Sequence, residues 1–260
     1  MRLRDIGIVA VYEAKQQSRQ WVFRFFVLFS LIGITFCHVV LQGYDNCKDW
    51  KMVALACSIP LVNAYLFSVV QSLFVIILMT DIPSREGREG ALECIHARPL
   101  GNGEYTIGRV LGNMLLFVVV NWMIMLACML FVNASSMAPF SFKYYLFYFL
   151  TINIPSFIFM SGLSLWLVRL LRVRYLVLVL LFFLLIASVV WLPYCFYGTF
   201  DFLGSGLPNL FSDTMGHVGL GNYLLHRSLY LFIGLGLVAC SVHRMKRLPN
   251  SDRQLKYYSL

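Results

Sequence analysis

The stretch REGREGALECIHARPLGNGEY, residues 85–105, decides the fold through what flanks it. LVNAYLFSVVQSLFVIILMT (61–80) precedes it and VLGNMLLFVVVNWMIMLACMLFV (110–132) follows it. A helix needs about 20 apolar residues to cross the hydrocarbon core of a bilayer. Both flanking runs reach that length. Within lipid only helices and closed barrels satisfy their own backbone, so runs this long and continuous read as helices. The charged, glycine-spaced insert is then a loop outside the membrane that joins two spans. The whole chain agrees: 60% of its 260 residues are hydrophobic and only 13% are charged, well below the charged share of a soluble domain. Most of its 22 Phe and 14 Tyr sit inside the apolar runs, as in a protein that meets lipid.

Working outward, the pattern predicts an all-α polytopic membrane protein of one domain, with six spans near 21–41, 52–80, 110–132, 144–168, 175–197 and 224–242. The second is over-long and reads as kinked at Pro60. The fourth and fifth contain Pro155 and Pro193. The sixth reads as short, because His226 and Arg227 open it. Residues 1–20 read as a surface helix, with Leu3, Ile6, Gly7, Ala10 and Ala14 on one face and Arg4, Asp5, Lys15, Gln16 and Arg19 opposite. Residues 198–222 are too apolar for a plain loop and too glycine-rich for a span, and read as a re-entrant segment in the outer leaflet.

Of the 21 Lys and Arg, seventeen fall on the side that carries both termini; only Lys48, Lys51, Lys143 and Arg227 fall on the other. This bias predicts that both termini are cytoplasmic. Asp45, Asp49, Asp201 and Asp213 offset the four outer cations, so the net charge of +9 lies on the inner side. Topology and anionic lipid account for it without nucleic acid. The first 20 residues lack the pattern of a cleavable leader. The seven cysteines have no zinc or CxxC spacing; a Cys47–Cys195 bridge on the outer side is conceivable.

The insert itself predicts a short helix over 85–98. Gly87 and Gly90 weaken it by about 1 kcal/mol each relative to Ala, and Pro99 limits it. Ala91, Leu92 and Ile95 share one side, while Glu86, Glu89 and Glu93 form a ridge on the other. A helix of this length is not stable alone. An interfacial helix on anionic lipid would be rich in Lys and Arg. A glutamate ridge instead points to a protein socket.

The run REGREGALECIHARPLGNGEYTIGRVLG resembles the loop between the second and third helices of type 2 ABC exporter permeases. There an E-x-x-x-G-x-L-E helix is followed by a proline, a turn, and Y-x-x-G-[KR]-x-L opening the third span. The matching residues are Glu86, Gly90, Leu92, Glu93, Pro99, Tyr105, Gly108, Arg109 and Leu111. The YEAK segment with Arg19, the six spans and the apolar outer segment also resemble that family, so the likeness covers essentially the whole chain. Cys94 and His96 depart from the pattern. The resemblance implies a homo- or heterodimer of permeases carrying separate ABC-type ATPase subunits in a bacterial inner membrane. Residues 85–98 would be the coupling helix, engaging the ATPase through Glu86, Glu89, Leu92, Glu93, Ile95 and Arg98. The chain has no GxxxxGK[ST] loop, so no cofactor is expected on it; ATP and magnesium would sit on the partner.

Inside the spans, Asn63, Gln71, Asn121 and Asn153 read either as lining a substrate path or as links between helices, at about 0.6 kcal/mol per bond. Arg169, Arg172 and Arg174 read as topology anchors or a lipid-phosphate site. Enzyme signals are weak. The five histidines are scattered, with no HExxH. MSGLS (160–164) lacks the leading glycine of GxSG, and the GxG in FLGSGLPN suits a turn. The sequon at Asn133 matters only in a eukaryotic secretory setting. A membrane enzyme on lipid or peptide, or a non-transporting assembly anchor, are the rival readings. The substrate is not legible.

Overall fold

The computed structural model describes residues 3–43, 56–86, 101–133, 140–195, 198–206, 209–212, 216–217 and 219–244. The described residues are overwhelmingly helical. Helix α1 spans Leu3–Ser18, α2 Trp21–Gly43, α3 Ser58–Glu86 and α4 Asn102–Ala127, the last continued by a π-helical turn over Cys128–Asn133. Helix α5 (Phe142–Tyr148) passes through a second π turn, Phe149–Asn153, into α6 (Ile154–Leu171). Helices α7 (Arg174–Val190) and α8 (Leu220–His243) complete the bundle. Between them lies a two-residue antiparallel hairpin, β1 (Phe211–Ser212) with β2 (Gly216–His217).

Five helices are long and apolar enough to cross a membrane: α2, α3, α4 with its π turn, α5–α6 taken together, and α8. Helix α7 is apolar but has 17 residues, about 26 Å at the usual rise. The expected continuation of this span, to residue 197, is not helical over the described residues 191–195. Leu192 precedes Pro193, a position that disfavours the helical region, and residues 191–194 form turns. Pro193 therefore ends the helix rather than sitting inside it. Pro60 likewise is no kink: it lies in the first turn of α3, where its missing N–H is not needed. Helix α4 begins at Asn102, earlier than the run of apolar residues suggests, because Glu104 reaches back to accept a bond from the Gly101 N–H (3.0 Å). Helix α8, expected to be short, runs 24 residues.

Helices α3 and α6 form the centre. Helix α6 packs along α3 and α8, α3 also meets α7, and α1 lies along the start of α4. Phenylalanines fill the middle: Phe26 of α2 meets Phe74 of α3 (4.9 Å between ring centres) and Phe117 of α4 (4.8 Å), and Phe117 meets Phe157 of α6 (5.4 Å). Such pairs contribute about 0.5–1.5 kcal/mol beyond the area they bury. Where backbones approach, glycine replaces bulk. Gly162 of α6 sits against the Gly234 carbonyl of α8, and a side chain at Gly234 would meet Phe159 Cα at 2.7 Å. On α4, Gly108 and Gly112 receive Val9 and the Ala10 carbonyl of α1.

The inner face of α1 matches the expected one at Ile6, Ala10 and Ala14 and departs from it elsewhere. Ile6, Glu13, Ala14 and Gln17 are buried, whereas Leu3 is 82% exposed and Gly7 has no neighbour within 4 Å. The start of α4 and the end of α8 lie together, since Gly103 approaches Val242. Helix α1 and the end of α8 thus share one end of the bundle, opposite the hairpin.

These contacts separate two glycine substitutions on the same pair of helices. Gly112→Ala forces a methyl into the Ala10 carbonyl and is expected to destabilise by about 1–3 kcal/mol. Gly7→Ala meets nothing and is expected to stabilise by up to about 1 kcal/mol. Denaturant unfolding of the purified chain in mixed micelles measures both. Equal shifts would contradict the close seat of α1 on α4.

Candidate functional site

Three places hold polar chemistry: the α1 end of the bundle, its middle, and the hairpin end. At the α1 end, Glu13 and Arg109 form an ion pair (3.0 Å) with side chains 2% and 10% exposed. Gln17 Nε2 donates to the same carboxylate (3.0 Å), the Arg109 guanidinium lies 4.8 Å from the centre of the Tyr105 ring, and Asn113 Nδ2 donates to the Arg109 carbonyl (3.0 Å). A buried pair tolerates loss of neither partner, because the survivor remains charged and unpaired. The pair therefore fixes α1 to α4 in one register.

The same end is tied twice more. Arg174 pairs with Asp81 (2.7 Å), joining the start of α7 to α3. Arg169 donates to the Ser241 carbonyl (2.8 Å), joining α6 to the last turn of α8. Two of the three arginines read as topology anchors or lipid ligands thus have protein partners. Only Arg172, at φ 57° beyond the last turn of α6, is exposed.

The residues expected to engage an ATPase fall mostly outside this description. Glu86 is the last residue of α3. Glu89, Leu92, Glu93, Ile95 and Arg98 lie outside the described residues. What the structure fixes is their frame: α3 leads into the segment 87–100, and α4, clamped to α1, leads out of it.

The four polar residues of the middle are each at most 2% exposed. Asn63 Oδ1 accepts from Cys128 Sγ (3.1 Å). Gln71 Nε2 donates to the Asn153 carbonyl (3.1 Å). Asn121 is buried with no hydrogen-bond partner on its side chain, and neither has the Asn153 side-chain oxygen. All four lie between helices of a single chain, and two of them link helices directly.

The hairpin end was missed by sequence reasoning. Pro155 has no N–H, so the Thr151 carbonyl one turn earlier loses its helical donor. The chain widens into the π turn, where the Ile154 N–H bonds the Phe149 carbonyl. Arg227 of α8 then supplies a donor to Thr151 and further donors beside it. Its Nε donates to the Thr151 carbonyl (2.7 Å), and Nη2 to the Ile152 carbonyl (3.1 Å) and Ser156 Oγ (2.9 Å). Nη1 donates to the Phe202 carbonyl (2.8 Å). Arg227, expected to be an outer surface cation, is 2% exposed.

Asp201, expected to offset surface charge, is fully buried and organises the chain after α7. It accepts from Ser188 Oγ (2.8 Å), the Leu203 N–H (2.9 Å), the Ser205 N–H (2.6 Å) and hydroxyl (2.7 Å), and the Gly206 N–H (3.2 Å). Gly204 has φ +78°, and a Cβ there would lie 2.8 Å from Arg227 Nη1. The described residues of this segment, expected to be re-entrant, form turns, the short hairpin and the first turn of α8, with Phe202 and Leu203 inside the core. The only signals for this node in the sequence were a lone Asp among glycines and a lone Arg in an apolar run.

Among the described residues no three His, Cys, Asp or Glu come together to hold a metal. Cys195 is a free thiol, and Cys47 lies outside the described residues. No family model matches the chain, and no curated protein matches it. The architecture defines its class: an α-helical, membrane-embedded protein with at least five helices fit to span a bilayer.

Replacing Arg227 by Met takes a donor from the buried Thr151 and Ile152 carbonyls, while the Phe202 carbonyl keeps Ser156 Oγ (3.1 Å), so the expected loss is about 2 kcal/mol or more. Arg227→Lys keeps the charge but not the planar fork, and should fall between Met and wild type in unfolding experiments. If the Met variant were as stable as wild type, the assigned role of Arg227 would be wrong.

Proposed function

We propose that the chain is the permease subunit of an ATP-driven exporter of the type 2 ABC class. In this reading it crosses the membrane six times, with the 17-residue α7 as the fifth crossing, and places α1 in the inner interface and both termini in the cytoplasm. Two permease protomers, identical or not, would form the path, and a separate ABC-type ATPase on the inner side would power it.

One observation carries the reading. The amphipathic segment 87–100 connects two helices that are each locked into the bundle at the same end. Helix α3 is tied there through Asp81 to α7, and α4 through Arg109 and its glycines to α1. A load applied to that segment by a docked partner would pass into the membrane helices without first spending itself on loose connections. The glutamate ridge and the resemblance of residues 85–111 to the exporter loop supply the partner's chemistry. The polar residues Asn63, Gln71, Asn121 and Asn153 pack inside one protomer, so a path between protomers would run over other faces.

The test is co-purification. The tagged full chain, solubilised in mild detergent from its own host, should bring down an ATPase with measurable hydrolysis. Leu92→Asp and Glu93→Lys should each abolish that activity in the eluate while the permease still inserts and elutes as one species. Wild-type chain free of any ATPase, or both variants retaining it, would refute the assignment.

A further inference from the structure

Helix α1 and the residue just past it carry Asp5 and Glu13 against Arg4, Lys15 and Arg19, so as a sequence the segment is close to neutral. The fold changes that balance. The Glu13 side chain is 2% exposed and engaged by Arg109 on the side that packs against α4, and Asp5 is half-buried. Arg4, Lys15 and Arg19 are exposed, and none of them has an ion pair among the described residues. With Ile8, Val11 and Tyr12 they form one line along the helix, spaced three or four residues apart. Those three apolar residues are 56%, 66% and 68% exposed. The outward side of α1 is therefore an apolar centre with one cation at its start and two at its end, about 22 Å from end to end.

Two spans set the depth of this surface. The apolar stretch of α2 begins at Trp21, itself largely exposed, and that of α4 begins at Asn102. Helix α1 ends at Ser18 and seats Val9 and Ala10 against Gly108 and Gly112, in the first turns of α4. It thus lies where both spans enter the bilayer. Water there leaves Ile8, Val11 and Tyr12 unfavourably exposed, and acyl chains alone leave the cations so. We infer that the outward side of α1 is a binding surface for anionic phospholipid. Ile8, Val11 and Tyr12 enter the top of the acyl layer, while Arg4, Lys15 and Arg19 reach the phosphates from both ends. An acidic headgroup is favoured over a zwitterionic one, because burial of Glu13 leaves this side of the helix basic. Lipid that grips α1 also steadies the start of α4 through the Glu13–Arg109 pair. The inference rests on the interfacial placement of α1, which the proposed function shares, and not on an ATPase.

Photo-crosslinking tests it. The full chain, without any ATPase, is reconstituted in nanodiscs of equal parts phosphatidylcholine and phosphatidylglycerol. A trace of one or the other lipid carries a photoactivatable acyl chain, and adducts are mapped by mass spectrometry. On Ile8, Val11 and Tyr12 the phosphatidylglycerol adducts should exceed the phosphatidylcholine adducts by roughly fivefold or more, the preference that one cation near an acidic surface supplies. On Val179 and Phe183 of α7, exposed on an apolar helix, the two lipids should label equally. The combined variant Arg4→Gln, Lys15→Gln, Arg19→Gln should bring the α1 ratio down to that of α7 and leave the phosphatidylcholine adducts in place. Equal labelling of wild-type α1 by both lipids would overturn the inference, whether or not the variant folds. So would an undiminished preference in the folded variant. Lipid adducts on α7 but none on α1 would mean that α1 faces water or a protein instead, and would also overturn it. None of these outcomes bears on co-purification of an ATPase, so the two proposals fail separately.

Discussion

Pro155 has no hydrogen to give, and at the centre of an apolar bundle the carbonyl it leaves behind has no solvent to turn to. The hairpin end of this protein is arranged around that constraint. The helix widens to a π turn, and a guanidinium from α8 enters to satisfy what the widening leaves over. One donor group is left, and it captures Phe202 of the segment after α7. That segment in turn is held in shape by the fivefold-bonded Asp201. A backbone defect in one helix is thus the reason that a distant arginine is buried, that a glycine with positive φ faces it, and that a loop is ordered.

The two ends of the bundle solve different problems with the same residue type. At the α1 end, Arg109, Arg169 and Arg174 tie helices pairwise, through a buried carboxylate, a terminal carbonyl and a half-exposed carboxylate. At the hairpin end, Arg227 pairs with no acid among the described residues and serves as a multiple donor to neutral oxygens. Between them the core is aromatic and aliphatic, with close helix crossings at Gly162 and Gly234. With no hydrophobic drive between helices in lipid, close packing and these polar links hold the assembly.

Most of the helices were legible from length and hydropathy alone, because a span is a one-dimensional property of the chain. What was not legible depends on partners far apart in sequence. The buried face of α1 carries Glu13 and Gln17, which a hydrophobic stripe would place outside; only Arg109, three helices later, makes them inward residues. Arg227 read as a surface cation because hydropathy assigns a residue a depth but not a direction. Pro60 and Pro193 were expected within spans, and both stand at boundaries instead, where a missing N–H does no harm. Asn63, Gln71 and Asn153 were recognisable as special, but whether they face a path or a neighbouring helix is settled by packing alone. The proposed coupling residues beyond Glu86 rest on the sequence.

The Glu13–Arg109 pair has a consequence for how the chain is made. Helix α1 leaves the ribosome before α2 and α3, and the cation that neutralises Glu13 is synthesised only after them. Until α4 arrives, the newborn N-terminal helix must wait with an unmatched carboxylate on the face it will later bury. Closing that contact is therefore among the first events that can report that four helices have been threaded in the correct order.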